Sequence, residues 1–164
     1  MALILKPFTA GATVEQQDDR KQAAAPRAPS PWPDLAGIHV FLIEDNSDTR
    51  TMVSEVLIHC AAMVTVYQSA DQALADLAEF VPTVFICDLS MPGLDGLQFM
   101  RRMRTLPAER GSRIPAIAIT AYYEEFAAAA ALEAGFNAYM TKPIRLDELA
   151  RLVGDLARNT PPDR

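Results

Sequence analysis

A short apolar run that ends in a carboxylate and a chain breaker constrains this fold more than any other stretch. Residues 84–87 are Val-Phe-Ile-Cys, Asp88 follows at once, and Pro92 and Gly93 come a few residues later. A continuous apolar run, rather than an alternating one, favours a strand covered on both faces, as in a parallel sheet between layers of helices. Proline and glycine then end the strand and turn the chain. The sequence therefore predicts a buried strand that carries Asp88 to an edge of a sheet.

Short apolar runs and amphipathic stretches alternate along the chain from residue 37. The runs that predict strands are 38–43, 63–67, 84–88, 115–120 and 138–140. The stretches with helical spacing of apolar residues are 48–60, 69–78, 94–105, 124–134 and 146–157. The second helix has capping-box spacing at Ser69 and Gln72, and its inward positions are Leu74, Leu77 and Ala78. Since crossovers between parallel strands are right-handed and helices must cover both faces, this alternation predicts an α/β fold with a doubly wound, five-stranded parallel sheet.

Polar side chains collect at the carboxyl ends of the predicted strands. Glu44 and Asp45 follow the first strand, Asp88 ends the third, Thr120 closes the fourth, and Lys142 lies just past the fifth. In doubly wound sheets the functional crevice lies at this edge. The polar chemistry of the chain is therefore expected at one site.

Three carboxylates at one site repel one another unless they share a proton or bind a cation. Oxygen ligands without histidine or cysteine favour a hard ion, and Mg²⁺ fits such a set best. A carboxylate, Mg²⁺, a lysine and a threonine hydroxyl are the groups that stabilise a phosphoryl group during its transfer. The residue types thus indicate phosphoryl chemistry.

This set of residues resembles the signature of the response-regulator receiver domain of two-component signalling, over about residues 38–158. The matching motifs are Glu44-Asp45, Asp88 with Met91-Pro92-Gly93, Thr120-Ala121, Tyr139 and Lys142-Pro143. The resemblance implies the flavodoxin-like fold of that family, with strand order 2-1-3-4-5. It also implies a single-domain response regulator that signals by protein–protein contact.

The resemblance implies a role for each site residue. Asp88 would accept a phosphoryl group from a phosphohistidine on a histidine kinase or a histidine phosphotransfer protein. Asp45 and Asp88 would bind Mg²⁺ directly, Glu44 would hold it through water, and the backbone carbonyl of Ser90 would add a ligand. Lys142 would pair with the Asp88 carboxylate and then with the phosphoryl group.

The resemblance also implies a switch. Thr120 would hydrogen-bond a phosphoryl oxygen and draw its loop inward, and Tyr139 would turn from exposed to buried. The Lys142-Pro143 peptide resembles the cis bond of the family. Ser90 and Tyr122 stand where sequences of the family vary, and the bulky Tyr122 predicts that water reaches the acyl phosphate slowly; Tyr122→Ala is then expected to lose phosphate faster.

Three alternatives compete with this interpretation. A pseudo-receiver would bind partners without phosphorylation, although the complete set of site residues argues against it. A phosphatase of the haloacid-dehalogenase type needs a second aspartate two residues after the nucleophile, where Ser90 stands. A flavin carrier of similar fold would need a Ser/Thr-rich phosphate loop after the first strand, whereas Glu44 and Asp45 would repel phosphate.

Composition sets the expected boundaries and surroundings. The Pro- and Ala-rich composition of residues 1–35 predicts a disordered or loosely docked tail. Within it, Trp32 either packs on the domain or is solvated. Residues 36–159 are expected to form the receiver domain, and residues 160–164 a second tail. No output domain is expected after Arg158, so the chain is not predicted to be an enzyme beyond its own phosphoryl transfer and dephosphorylation. We expect a monomer or weak dimer that contacts a downstream target protein.

Charge and hydropathy exclude two classes of partner. The net charge of −6 and pI of about 4.9 argue against nucleic acid and against an anionic membrane. No apolar run approaches the ~20 residues of a membrane span, and Ala2–Leu5 is too short for a signal peptide. These features predict a cytoplasmic protein, in which Cys60 and Cys87 are reduced packing residues.

Overall fold

A computed structural model describes residues 31–121 and 125–159. The strands are β1 (His39–Ile43), β2 (Met63–Tyr67), β3 (Val84–Asp88), β4 (Ala116–Thr120) and β5 (Ala138–Thr141). The helices are α1 (Ser47–His59), α2 (Ala70–Asp76), α3 (Gly96–Arg104), α4 (Glu125–Ala134) and α5 (Leu146–Asn159), with a 3₁₀ turn at Ala108–Arg110. Over these two ranges, no helix has both the length and the apolar character that a bilayer crossing requires.

The five strands form one parallel sheet in the order β2-β1-β3-β4-β5. This confirms the doubly wound prediction and the strand order that the resemblance implied. Ile43 lies beside Cys87, Asp88 beside Ile119, and Thr120 beside Thr141. The strands therefore end together, and the residues after them share one edge.

Two apolar layers cover the sheet. One side packs α2, α3 and α4 against Phe41 and Phe85, and the other packs α1 and α5 against Leu42 and Ile86. All five residues of β3 and all five of β4 are buried. Burial on both faces is the reason that these two strands have continuous apolar sequences.

Helix α2 is shorter than its apolar pattern predicts. It ends at Asp76, so Ala78 is exposed, and the prediction that Ala78 faces inward is wrong; Ala73 is buried instead. The expected capping box is also incomplete. Ser69 Oγ accepts the Gln72 N–H at 3.5 Å, but the Gln72 side chain accepts the N–H of Gln68, not that of Ser69.

The short segment before β1 packs on the domain. Leu35 is fully buried and its N–H donates to Cys60 O at 2.7 Å, while Arg158 Nη2 donates to Asp34 O at 2.9 Å. The Trp32 ring lies edge-on to His59, with 6.4 Å between ring centroids. Of the two alternatives for Trp32, packed or solvated, the structure therefore shows the packed one. Residues 1–30 and 160–164, which make up most of the predicted tails, lie outside the described residues.

Both cysteines are free thiols and both are buried, as the composition predicts. Burial raises the pKa of each thiol, most strongly at Cys87. A buried thiol with a raised pKa stays protonated and unreactive. Cys60 and Cys87 therefore act as packing residues.

Candidate functional site

Asp88 is the last residue of the buried strand β3, and its side chain is almost completely enclosed, with the residue 3% exposed. The Ser90 N–H donates to Asp88 Oδ1 at 2.9 Å, and Ser90 itself is exposed. Helix α3 begins very close by, since a methyl group added to Gly96 would overlap the carbonyl oxygen of Asp88. The glycine therefore lets α3 start directly against the end of β3.

Lys142 connects two of the acidic residues. Its Nζ atom lies 2.6 Å from Asp88 Oδ2 and 3.0 Å from Glu44 Oε2. The Lys142 N–H donates to Thr120 O at 2.8 Å, which fixes the chain just past β5, and the Lys142-Pro143 peptide is cis, as the resemblance implied. Burial would lower the pKa of Lys142, but the hydrogen bonds and negative charges of Asp88 and Glu44 outweigh it and raise this pKa. The ammonium group therefore stays charged.

Glu44 is fully buried at the end of β1. Burial, followed by the negative charge of Asp88, raises the pKa of Glu44 to about 7, although Lys142 acts in the opposite direction. The Asn46 N–H also donates to Glu44 Oε1, at 3.2 Å. Without a bound cation, this carboxyl group therefore titrates near neutral pH.

Glu44, Asp45 and Asp88 form an acidic cluster. Each offers one carboxylate oxygen, and these atoms lie within 4.8 Å of one another. Glu44 and Asp88 are buried, whereas Asp45 is exposed, so the cluster is open to solvent on one side. An oxygen-only set that can be reached by a hydrated ion fits Mg²⁺, which keeps several of its waters when it binds.

Arg50 supports this cluster, and sequence reasoning missed it. From the first turns of α1, its Nη1 donates to the carbonyl oxygens of Glu44, at 2.7 Å, and Asp45, at 3.2 Å. A cation near a helix N-terminus is unfavourable for the helix dipole, so its presence there is a signal of another role. Arg50 holds the backbone that presents two of the three carboxylates.

The predicted switch residues lie on two different strands. Thr120 ends β4 and is buried, one residue beyond the partner of Asp88 in the sheet. Tyr139 lies on the outer strand β5, beside Ala118, and is 45% exposed. Tyr122 lies outside the described residues. The structure thus brings Glu44, Asp45, Asp88 and Lys142 together and places Thr120 at the same edge, with Tyr139 farther out.

A family model and curated relatives match this chain. The family model of the response regulator receiver domain matches residues 40–154. An uncharacterized 14.6 kDa protein of Leptolyngbya boryana is 40% identical over 129 residues, which cover 79% of this chain and 97% of that protein. The cyclic di-GMP phosphodiesterase response regulator RpfG of Xanthomonas campestris is 38% identical over 122 residues, which cover 72% of this chain and 32% of the relative. The chain thus spans nearly all of one relative and about a third of the other.

A solved structure agrees with these sequence matches. It is the receiver domain of a sensor histidine kinase of Pseudomonas aeruginosa, with a magnesium ion coordinated in its active site cleft. It superposes with a TM-score of 0.68 at 29% identity and covers 76% of this chain and 100% of that chain. Sequence and structure therefore point to the same kind of domain.

Proposed function

This chain belongs to the family of response regulator receiver domains, and on that premise we propose that it accepts a phosphoryl group from a phosphohistidine onto Asp88. The observation that carries the proposal is the 2.6 Å contact between Lys142 Nζ and Asp88 Oδ2. The ammonium group of Lys142 lies directly against the carboxylate whose oxygen would attack phosphorus, so positive charge is already in place where the phosphoryl group would arrive.

In the proposed step, a carboxylate oxygen of Asp88 forms a bond to the phosphorus of a phosphohistidine on a partner protein. The P–N bond breaks, and the imidazole nitrogen leaves with its electron pair. Lys142 lies against the carboxylate and offsets the negative charge that arrives with the phosphoryl group. We propose that Thr120 donates its hydroxyl to a phosphoryl oxygen.

Tyr139 is the second part of the proposed switch. Tyr139 is 45% exposed on β5, so its ring has an outward position in this structure. We propose that the phosphorylated form favours the inward ring, as a shift between two populated states. Ser90 and Tyr122 are proposed to control the access of water to the acyl phosphate.

The acidic cluster is the proposed magnesium site. Asp45 and Asp88 would bind the ion directly, Glu44 would hold it through water, and the Ser90 carbonyl would add a ligand. Bound Mg²⁺ supplies positive charge to the oxygens of the phosphoryl group during its transfer. The fit of the oxygen-only cluster and the magnesium in the P. aeruginosa receiver domain both support this assignment.

We further propose that the protein works as a single-domain response regulator in the cytoplasm, as a monomer or weak dimer. Its phosphodonor is then a histidine kinase or a histidine phosphotransfer protein, and it signals by contact with a target protein, without a separate enzymatic activity. The extensive overlap with the 14.6 kDa relative supports the single-domain form.

Intact mass spectrometry after incubation with acetyl phosphate and Mg²⁺ tests the phosphoacceptor. Wild type is expected to gain one phosphoryl adduct, and Asp88→Asn none. A chelator is expected to abolish the adduct on wild type. An adduct on Asp88→Asn would show that another residue accepts the group. No adduct on either protein would favour a receiver-like module that binds partners without phosphorylation.

A further inference from the structure

A cleft between α2 and α3 lies away from the phosphoryl site. Its volume is about 280 Å³. Its apolar lining comes from Leu74, Leu77, Ala78 and Leu106. Leu77 and Ala78 precede β3, and Leu106 precedes β4, so this α2–α3 cleft opens toward the amino ends of the strands. The acidic cluster lies at the opposite ends of the same strands.

Two arginines flank the apolar lining. Arg102 and Arg110 both line the cleft and both are exposed. Among the ion pairs of the described residues, none involves either of them. Arg104, by contrast, is used inside the domain, where it donates to carbonyl oxygens of Ser112, Ile114 and Gly135. Two guanidinium groups at the cleft are therefore available to an outside partner.

The segment that carries the two cleft arginines is basic. Residues 101–113 contain five arginines and one glutamate, and Arg102 and Arg110 line the cleft, whereas the whole chain has a net charge of −6. An anionic partner is repelled by most of this molecule and attracted here. Such local complementarity selects the orientation in which a partner binds.

The size of the cleft selects the class of ligand. At about 280 Å³ it lies just below the ~300–1,000 Å³ range of sites for drug-sized molecules. One large apolar side chain fits such a volume. Phe80 and Val81, which follow the cleft residues Leu77 and Ala78 in the chain, add apolar surface and are 58% and 49% exposed. An apolar lining also disfavours a nucleic-acid backbone, which offers only charged and polar groups to it.

We propose that the α2–α3 cleft docks an acidic peptide segment of a partner protein. One aromatic or leucine side chain of the segment enters the cleft, and flanking carboxylates pair with Arg102 and Arg110. Buried anchor side chains with charged neighbours are the usual energetic centre of a protein interface. This surface is separate from the phosphoryl site, so the proposal stands independently of the proposed function.

Fluorescence anisotropy with synthetic peptides on the full chain tests the proposal. The probe is a labelled peptide with one phenylalanine between Asp and Glu residues. One control peptide has serine in place of the phenylalanine, and a second has lysines in place of the acids. We expect the probe to bind at least about tenfold more tightly than either control, with an affinity that falls as salt rises.

Charge reversal locates the site. Arg102→Glu with Arg110→Glu is expected to weaken binding of the probe at least about tenfold and to create binding of the lysine peptide. The matched control is Arg145→Glu, just before α5, with Arg151→Glu on that helix. It makes the same change of charge away from the cleft and is expected to have a smaller effect. Circular dichroism of each variant verifies that it is folded.

Three results of the peptide measurements would each overturn the proposal, and a vesicle measurement can overturn it as well. The first is that the probe binds no more tightly than the peptide with serine in place of phenylalanine. The second is that the two double variants weaken binding of the probe equally. The third is that the lysine peptide fails to bind the Arg102→Glu, Arg110→Glu variant. Displacement of the probe by vesicles of anionic phospholipid, but not by excess unlabelled peptide, would show that the cleft recognises a membrane surface instead.

Discussion

Lys142 is the residue on which the charge balance of the site depends. Its ammonium group neutralises part of the negative charge of both Asp88 and Glu44. These two residues lie 54 and 98 positions before Lys142 in the sequence. The same ammonium group competes with any cation for these oxygens. In the proposed function Lys142 therefore has opposite effects, since it would favour phosphoryl transfer and oppose metal binding.

Lys142→Met is accordingly expected to slow phosphorylation by acetyl phosphate roughly 10²-fold, the usual loss for a group that stabilises transition-state charge. Mg²⁺ affinity, measured by calorimetry, is expected to stay equal or rise, because a competing cation is gone. Arg145→Met, which removes an exposed cation nearby, should change neither quantity. A parallel fall in both quantities for Lys142→Met would mean that the lysine acts by holding the site together.

Arg50 acts on the backbone of the site rather than on its carboxylates. Its hydrogen bonds to the carbonyls of Glu44 and Asp45 fix the turn from which both side chains project. Loss of groups that orient metal ligands typically costs about 10–100-fold in metal affinity. We expect Arg50→Met to lower Mg²⁺ affinity about tenfold, and Arg50→Lys to lower it less. Unchanged calorimetric affinity in Arg50→Met would show that Asp45 is positioned without it.

At the scale of elements, side chains decide where the helices begin. Asn46 Oδ1 accepts the Thr49 N–H at 2.9 Å and starts α1. Asp95 and Gln98 form a capping box that starts α3 at Gly96, two residues later than the apolar pattern predicts. The onset of apolar periodicity is a poor guide to a helix terminus, because a polar capping side chain decides where the helix begins. The strands, defined by unbroken apolar runs, were predicted to within one residue at each end.

Contacts of long side chains were the least predictable part of the site. The topology alone placed Glu44, Asp45, Asp88, Thr120 and Lys142 at one edge. Two sets of hydrogen bonds depend on side-chain rotamers and on loop positions. Arg50 donates to the carbonyl oxygens of Glu44 and Asp45, and Arg104 donates to the carbonyl oxygen of Gly135. No spacing of residues encodes either contact.

The junction of β3 with α3 is the tightest of these connections. A Cβ atom at Gly96 would overlap Asp88 O and crowd Leu89 Cα, both of them backbone atoms that cannot rotate away. Gly96→Ala is expected to reduce the free energy of unfolding by about 1–3 kcal/mol, as for other overpacked sites. Urea denaturation measures this.

Gly93→Ala is the matched control for Gly96→Ala. Gly93 has a φ of +80° and open space around it, so this substitution tests the cost of the backbone conformation alone, about 1 kcal/mol. Phosphorylation should suffer more in Gly96→Ala, because Asp88 is displaced. Equal losses of stability in the two variants would indicate that α3 shifts freely away from β3.

At the scale of the whole molecule, stability depends on pH through groups far from the site. His39 Nε2 lies 2.8 Å from Thr65 Oγ1, and its ring packs edge-on against Phe41. Burial lowers the pKa of His39 below its usual 6.5. The folded state therefore prefers the neutral ring, so this contribution to stability is complete above pH 6.5 and is lost as the pH falls toward the lowered pKa.

His39→Gln removes the titration and keeps a hydrogen-bonding side chain near Thr65. Between about pH 7.5 and about pH 5.5, on either side of the ordinary histidine pKa, wild type is expected to lose more stability than His39→Gln. Urea midpoints at the two pH values measure the difference. Glu44 and the other carboxyls titrate in both proteins and cancel. Identical changes in the two proteins would show that the ring is protonated in the folded state as readily as in the unfolded one.

The anchoring of residues 34 and 35 has a practical corollary. Leu35 is fixed to Cys60, just before β2, and Asp34 to Arg158 near the end of α5. Both anchored positions thus lie at the pole opposite the acidic cluster. A surface tether or fluorescent label attached at this pole would leave the acidic cluster facing solution, so immobilised protein can be probed with phosphodonors without reorienting it.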